Sequence, residues 1–166
     1  MITNRKEVGT GKDITLGNKH VTGNFTGNFY YAEGWGKDIG DVYIPSSGVY
    51  YNVTNFTEGL SNGFTWNADG GVIVGVAGVY KVDGGWSFSG TANNEYHLRV
   101  AKNGVGQDNC HAERVIGTGG DVGSASTTCL LDLNVGDVLN AQIENVDAGN
   151  NATIHSINFN TVRIGN

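Results

Sequence analysis

Proline is all but missing: a single Pro45 stands against 27 glycines, with one methionine. That ratio excludes a proline-rich disordered tail, and the absence of a three-residue glycine period excludes a collagen stalk; tight turns and bulges are what remain. Charge is also sparse, at 16% of residues with a formal net charge of −6. Without a basic surface the counterion-release term that drives most nucleic-acid binding is lost, so DNA, RNA and anionic membranes are not expected partners. No apolar run approaches the ~20 residues a membrane helix needs, and the stretch Met1 to Glu7 carries no signal-peptide core. The expectation is a protein made and kept in a cytosol or released by lysis. Four Asn-x-Ser/Thr triplets, at Asn24, Asn52, Asn55 and Asn151, carry little weight in so Asn- and Thr-rich a chain. Helical periodicity is lacking as well, because no window places apolar residues at i, i+3, i+4 and i+7 free of internal glycine.

Alternation is abundant instead. Tyr80, Val82, Trp86 and Phe88 share one parity while Lys81, Asp83, Ser87 and Ser89 take the other, which predicts a strand with one dry face. Tyr96, Leu98 and Val100 repeat the pattern, as do Thr127 to Leu133 and Leu139 to Ile143 on either side of Asn134-Val135-Gly136-Asp137. Strands are expected over 49–56, 64–76 (broken at Asn67-Ala68-Asp69-Gly70-Gly71, a hairpin signal), 78–89, 96–102, 110–116, 124–133, 138–145 and 154–164, with a turn at Lys102-Asn103-Gly104. Eight to ten strands in about 120 residues predict an all-β antiparallel jelly-roll sandwich.

The two cysteines fall in separate expected strands. Cys129 lies on an apolar parity and reads as a small hydrophobe, so the sequence favours buried free thiols over a Cys110–Cys129 disulfide.

Residues 1–44 differ in character from the rest of the chain. They are polar and glycine-spaced, with short echoes such as Thr22-Gly23-Asn24-Phe25 and Thr26-Gly27-Asn28-Phe29, too brief for a solenoid. The chain therefore divides into an extended N-terminal arm, 1–44, and a sandwich, 45–166, hinged at Pro45. The arm's aromatics Phe25, Phe29, Tyr30, Tyr31 and Trp35 need cover from the body, a sister subunit or another protein; a peripheral strand of the sandwich over 25–35 is the alternative.

Chemistry-bearing groups are scattered. His20, His97, His111 and His155 show no paired metal spacing, and adjacent Cys110 and His111 point to opposite faces of a strand, so they form no nucleophile–base pair. Gly9-Thr10-Gly11-Lys12 has the wrong spacing for a phosphate loop and Asp13 where a hydroxyl is required. Asp121, Asp132, Asp137 and Asp147 sit in or beside turns, where Asp caps local backbone. Calcium in the loop Asp147 to Asn151 stays open, although no EF-hand spacing exists. A glycosidase pair from Glu95 and Glu113 cannot be derived from their separation. No catalytic residue, cofactor or resident metal is expected.

Four landmarks in order, namely Gly78-Val79-Tyr80 through Trp86-Ser87-Phe88, Lys102-Asn103-Gly104, Leu133 to Val138, and a last strand through Phe159, resemble the jelly roll of tumour necrosis factor and C1q-like proteins, over about 62–165. The resemblance implies a homotrimer with one sheet along the threefold axis. Tyr80, Trp86, Phe88, Tyr96 and Phe159, more bulky aromatics than a small core needs, are the expected trimer interface; an intrachain core is the alternative for each. With no collagen stalk and no secretory signal or membrane anchor, the chain looks like small virion proteins of tailed bacteriophages. The short arm points to a non-enzymatic capsid decoration or cement trimer bound to the major capsid protein of a phage head. The alternative is a fibre tip or needle knob that touches a host receptor or glycan through loops such as 147–153 and 103–109.

Overall fold

The computed structural model describes residues 28–119 and 121–166. Among them are the strands β1 (Tyr31–Val42), β2 (Tyr51–Asn52), β3 (Thr57–Asn62), β4 (Phe64–Trp66), β5 (Val72–Val74), β6 (Gly78–Ser89), β7 (Glu95–Lys102), β8 (Val105–Val115), β9 (Val122–Leu133), β10 (Val138–Asn145) and β11 (Ala152–Gly165), and no helix. Sheet A runs β3-β1-β11-β6-β9 and sheet B runs β4-β5-β10-β7-β8, with β2 also paired to β10; every pairing is antiparallel. The two sheets form a jelly-roll sandwich.

The alternation read from the sequence sets which side chains enter the space between the sheets. Along β6 every second residue from Gly78 to Phe88 is buried, and Phe88 meets Tyr96 of β7 edge-on at 5.6 Å between ring centres. Phe64 meets Tyr80 in the same way at 5.4 Å. Tyr96 keeps its hydroxyl satisfied, accepting from the Thr91 N–H at 3.0 Å and donating to the Asn151 carbonyl at 3.1 Å. These contacts correct one expectation: Tyr80, Trp86, Phe88, Tyr96 and Phe159 are at most 2% exposed within a single chain, so they cannot touch a sister subunit. They fill the intrachain core because their parity faces the opposite sheet.

The boundary at 44/45 also moves. β1 pairs with β11 from Tyr31–Val162 to Val42–Ala152 and with β3 on its other side, so residues 31–44 belong to the sandwich. Ile44 is fully buried with its N–H on Asn151 Oδ1 at 3.0 Å, and the Pro45 carbonyl packs against Gly149, which leaves Pro45 inside the domain rather than at a hinge. Alternation failed to signal β1 because its inward positions hold Ala32, Gly34 and Gly36 rather than large hydrophobes. Gly34 is required there: a Cβ would collide with the indole of Trp66 that lies across it. Residues 1–27, with Phe25, lie outside the described residues.

Turn chemistry fixes the register. Asn103 and Gly104 both take positive φ, 52° and 78°, the backbone of a two-residue hairpin whose twist matches its strands. Asn67 Oδ1 accepts from the N–H groups of Asp69 and Gly71 and closes the β4–β5 hairpin. At the other end of β7, fully buried Asn145 holds the 147–150 loop by accepting from the N–H groups of Asp147 and Ala148.

The cysteines depart from expectation outright: Cys110 and Cys129 form a disulfide, with Cα atoms 5.2 Å apart. It joins β8 of sheet B to β9 of sheet A. β8 has residues 107–110 opposite Val100 alone, between the pairs Arg99–His111 and Ala101–Gly106; beyond this irregularity Cys110 faces inward on the same parity as Ala112 and buried Ile116, opposite to His111 and Glu113.

Candidate functional site

Among the described residues, two outward-facing surfaces group exposed hydrophobic or titratable side chains. The first is the outer face of sheet A. Its side chains align in rows across β1, β11, β6 and β9: Tyr31, Val162, Lys81, Leu130; then Glu33, Asn160, Asp83, Thr128; then Trp35, Asn158, Gly85, Ser126; then Lys37, Ser156, Ser87, Ser124. Tyr31, Trp35, Leu130, Leu60 and Val122 are exposed hydrophobics on this face or its rim. Between them lie hydroxyls, amides and the bare backbone of Gly85, above which a Cβ would meet nothing within 4 Å.

Charge near the middle of the face is self-cancelling. Lys81 Nζ contacts Asp83 Oδ2 at 2.8 Å, and Thr128 donates to Asp83 Oδ1 at 2.7 Å. Burial alone would raise the Asp83 carboxyl, but the Lys81 and Thr128 hydrogen bonds outweigh it and hold the group below its ordinary range. The face is thus mostly polar, with Tyr31, Trp35 and Leu130 exposed among hydroxyls, amides and charges.

Tyr31 and Trp35, expected to be capsid-binding arm residues, are exposed on the outer face of β1; Phe29 precedes β1 and is 61% exposed. Tyr30 packs against the core with the Arg163 guanidinium over its ring, 5.5 Å from the centre.

The second surface is the outer face of sheet B, where histidines far apart in sequence converge. His97 pairs with Glu113, and Arg99 with His111, across β7 and β8, so the two imidazoles are diagonal neighbours and meet edge-to-face at 4.9 Å. His97 Nδ1 lies 3.2 Å from Glu144 Oε1 on β10, and its Nε2 lies 3.0 Å from Glu95 Oε1 and 3.9 Å from Glu113 Oε1. His111 Nδ1 is 3.7 Å from Glu113 Oε1, and its Nε2 is 3.2 Å from the Tyr50 hydroxyl. The Arg99 guanidinium sits 3.4 Å from the centre of the Tyr50 ring and donates Nε–H to Gln142 at 2.9 Å.

Burial and the neighbouring Glu144 carboxylate push the Tyr50 hydroxyl well above the ordinary phenol range despite Arg99, so it stays protonated. Scattered histidines in the sequence gave no sign of this cluster, yet Glu95-x-His97 and His111-x-Glu113 each place a carboxylate and an imidazole on one strand face. That spacing was the available signal.

The loops considered for receptor contact do not form one surface. The 147–153 loop meets the start of β7, where the Glu95 N–H donates to Asp147 at 2.7 Å, whereas Asn103 follows the end of β7 and donates to Asp137 at 2.7 Å. They occupy opposite ends of the sandwich. Asp147, with an oxygen on the Glu95 N–H, serves as a loop clasp.

No protein-family model matches the chain, and no curated protein matches it in sequence. Solved structures do match in shape. The tumour necrosis factor Eiger from S. frugiperda superposes with a TM-score of 0.64 at 17% identity, over 83% of this chain and 94% of Eiger. Murine APRIL gives 0.60 at 15% identity over 82% and 100% of the two chains, and the globular domain of zebrafish complement 1qA gives 0.57 at 14% over 82% and 99%. The chain has the tumour necrosis factor and C1q-like jelly-roll fold.

Proposed function

We propose that this chain is a non-enzymatic structural protein of a bacteriophage virion, a homotrimer that packs through the outer face of sheet A and decorates the phage head. The observation that carries the trimer is that face itself: Tyr31, Trp35 and Leu130 on view around Gly85, with Lys81 and Asp83 neutralising each other. The resemblance of the fold to trimeric jelly rolls supports the same arrangement. Head attachment draws on the polar, glycine-spaced sequence of residues 1–27 ahead of the sandwich, with exposed Phe29 at the junction.

Light scattering during size-exclusion chromatography tests the assembly: three times 17.5 kDa is expected, and a monomer overturns the reading. Co-sedimentation with undecorated phage heads tests the location. The shorter chain 28–166 should keep the trimer mass and lose the heads; equal binding by both chains would remove the role of residues 1–27. Truncation at residue 44 is unsuitable, since it deletes β1.

One observation favours a second reading, the receptor- or glycan-binding tip of a tail fibre or needle. A shallow cleft at one end of the sandwich is lined by Ser89, Thr91, Asn150, Asn151 and Thr153, hydroxyls and amides suited to sugar hydroxyls. Saturable binding to host glycans without affinity for heads would select it.

A further inference from the structure

We propose that His97, His111 and Glu113 on the outer face of sheet B, with Glu95 beside them, form a binding site for a zinc-class divalent cation.

Each imidazole turns one nitrogen toward Glu113; at His97 that nitrogen, Nε2, is hydrogen-bonded to Glu95 Oε1 at 3.0 Å, a bond that an ion would replace. Glu144 is buried on β10 and lies 3.2 Å from His97 Nδ1. Moving the ring proton to Nδ1, beside that carboxylate, frees the lone pair of Nε2 for an ion in place of its hydrogen bond to Glu95. At His111 the Tyr50 hydroxyl stands 3.2 Å from Nε2. A proton on Nε2 donates to Tyr50, which leaves Nδ1, 3.7 Å from Glu113 Oε1, unprotonated. Glu144 thus flanks one ring and Tyr50 holds the other, and one nitrogen of each ring lies near the same Glu113 oxygen, at 3.9 and 3.7 Å.

The spacing suits a small ion. One nitrogen from each ring and one Glu113 oxygen lie within 4.8 Å of one another. Bonds of about 2.1 Å in a tetrahedron place ligand atoms about 3.4 Å apart, so the site has to contract. Glu113, whose side chain is 58% exposed, is free to swing inward, while His97 and His111 are more enclosed. Glu95 Oε1, now 3.0 Å from His97 Nε2, supplies a fourth ligand once the ion takes over that nitrogen. Two imidazoles with carboxylates favour Zn²⁺ and its transition-metal neighbours over Ca²⁺ or Mg²⁺, which take all-oxygen shells. Binding displaces any proton held on the ligand atoms, so uptake weakens as the solution becomes acid.

Calorimetric titration of the full chain, stripped with a chelator, with zinc chloride is the test, alongside Co²⁺ absorption as a report on coordination number. One ion per chain and four-coordinate Co²⁺ bands are expected. His111→Gln and Glu113→Gln should each abolish saturable uptake with the β-sheet circular dichroism unchanged, while His155→Gln, on sheet A, should bind as the parent does. Glu144 is a positioning residue: Glu144→Gln should weaken uptake by roughly 10- to 100-fold and shift the Co²⁺ spectrum. Should that variant fail to fold, Tyr50→Phe removes the hydrogen bond on His111 Nε2 and should weaken uptake in the same way. No saturable uptake by the parent, or uptake that survives both His111→Gln and Glu113→Gln, would overturn the proposal.

Discussion

Cys110 and Cys129 join the two sheets at their shared edge, β8 to β9, across 19 positions of chain. Closing a loop of that length in the unfolded state contributes about 3 kcal/mol in the chain-entropy account. Replacing both cysteines with alanine, or reducing the bond, should lower the melting temperature by about 10 °C with the β-sheet spectrum retained below it. Scanning calorimetry with and without reductant checks this; an unchanged melting point would mean that the bond adds nothing to the fold.

Gly85 separates folding from assembly. It sits mid-sheet opposite Asn158 and Ser126 with open space above it. Gly85→Arg should fold and run as a monomer, because the added side chain projects from the face assigned to the trimer. A variant that stays trimeric would move the interface elsewhere.

Tyr96→Phe should cost about 1–3 kcal/mol, since it leaves the Thr91 N–H and the Asn151 carbonyl without their buried partner. Urea denaturation measures the loss.

Asp137 predicts the acid limb of stability. Burial would raise its carboxyl, but the Asn134 N–H, the Asn103 amide and Lys102, 3.1 Å away, together hold it below the ordinary range. A carboxyl depressed in the folded state stabilises fully above its unfolded value of about 3.9 and loses that contribution as the pH falls through the folded one. Urea midpoints should therefore decline below about pH 4, and Asp137→Asn should be less stable at neutral pH with a flatter acid decline. An equal decline in both proteins would assign the effect to other carboxylates.

The strands that alternate large apolar with small polar residues were legible in the sequence: β6 and β10 have the expected ends, and Asn103-Gly104 is the expected turn. Contacts between distant segments account for the features that stayed hidden. β1 reads as an arm because glycine replaces the hydrophobes of its inward face, and glycine is there for the Trp66 indole, a partner 32 positions on from Gly34. Core aromatics read as an interface because a count of bulky side chains does not say which sheet faces which. Convergence of His97 and His111 depends on the β7–β8 register, and the disulfide on β8 of one sheet lying beside β9 of the other. Parity alone contains neither.

The pairing of β1 with β11 sets the order in which this protein can fold. Tyr31 finds its partner at Val162, 131 positions on, and Val42 at Ala152, 110 positions on. Until the last of these residues has left the ribosome, β6 lacks a neighbour on one side and β1 has no strand to join to it. Such non-local pairing slows folding and leaves bare strand edges on the nascent chain. Yield in a cell should therefore respond to growth temperature and to chaperone supply more than the finished fold's stability would suggest.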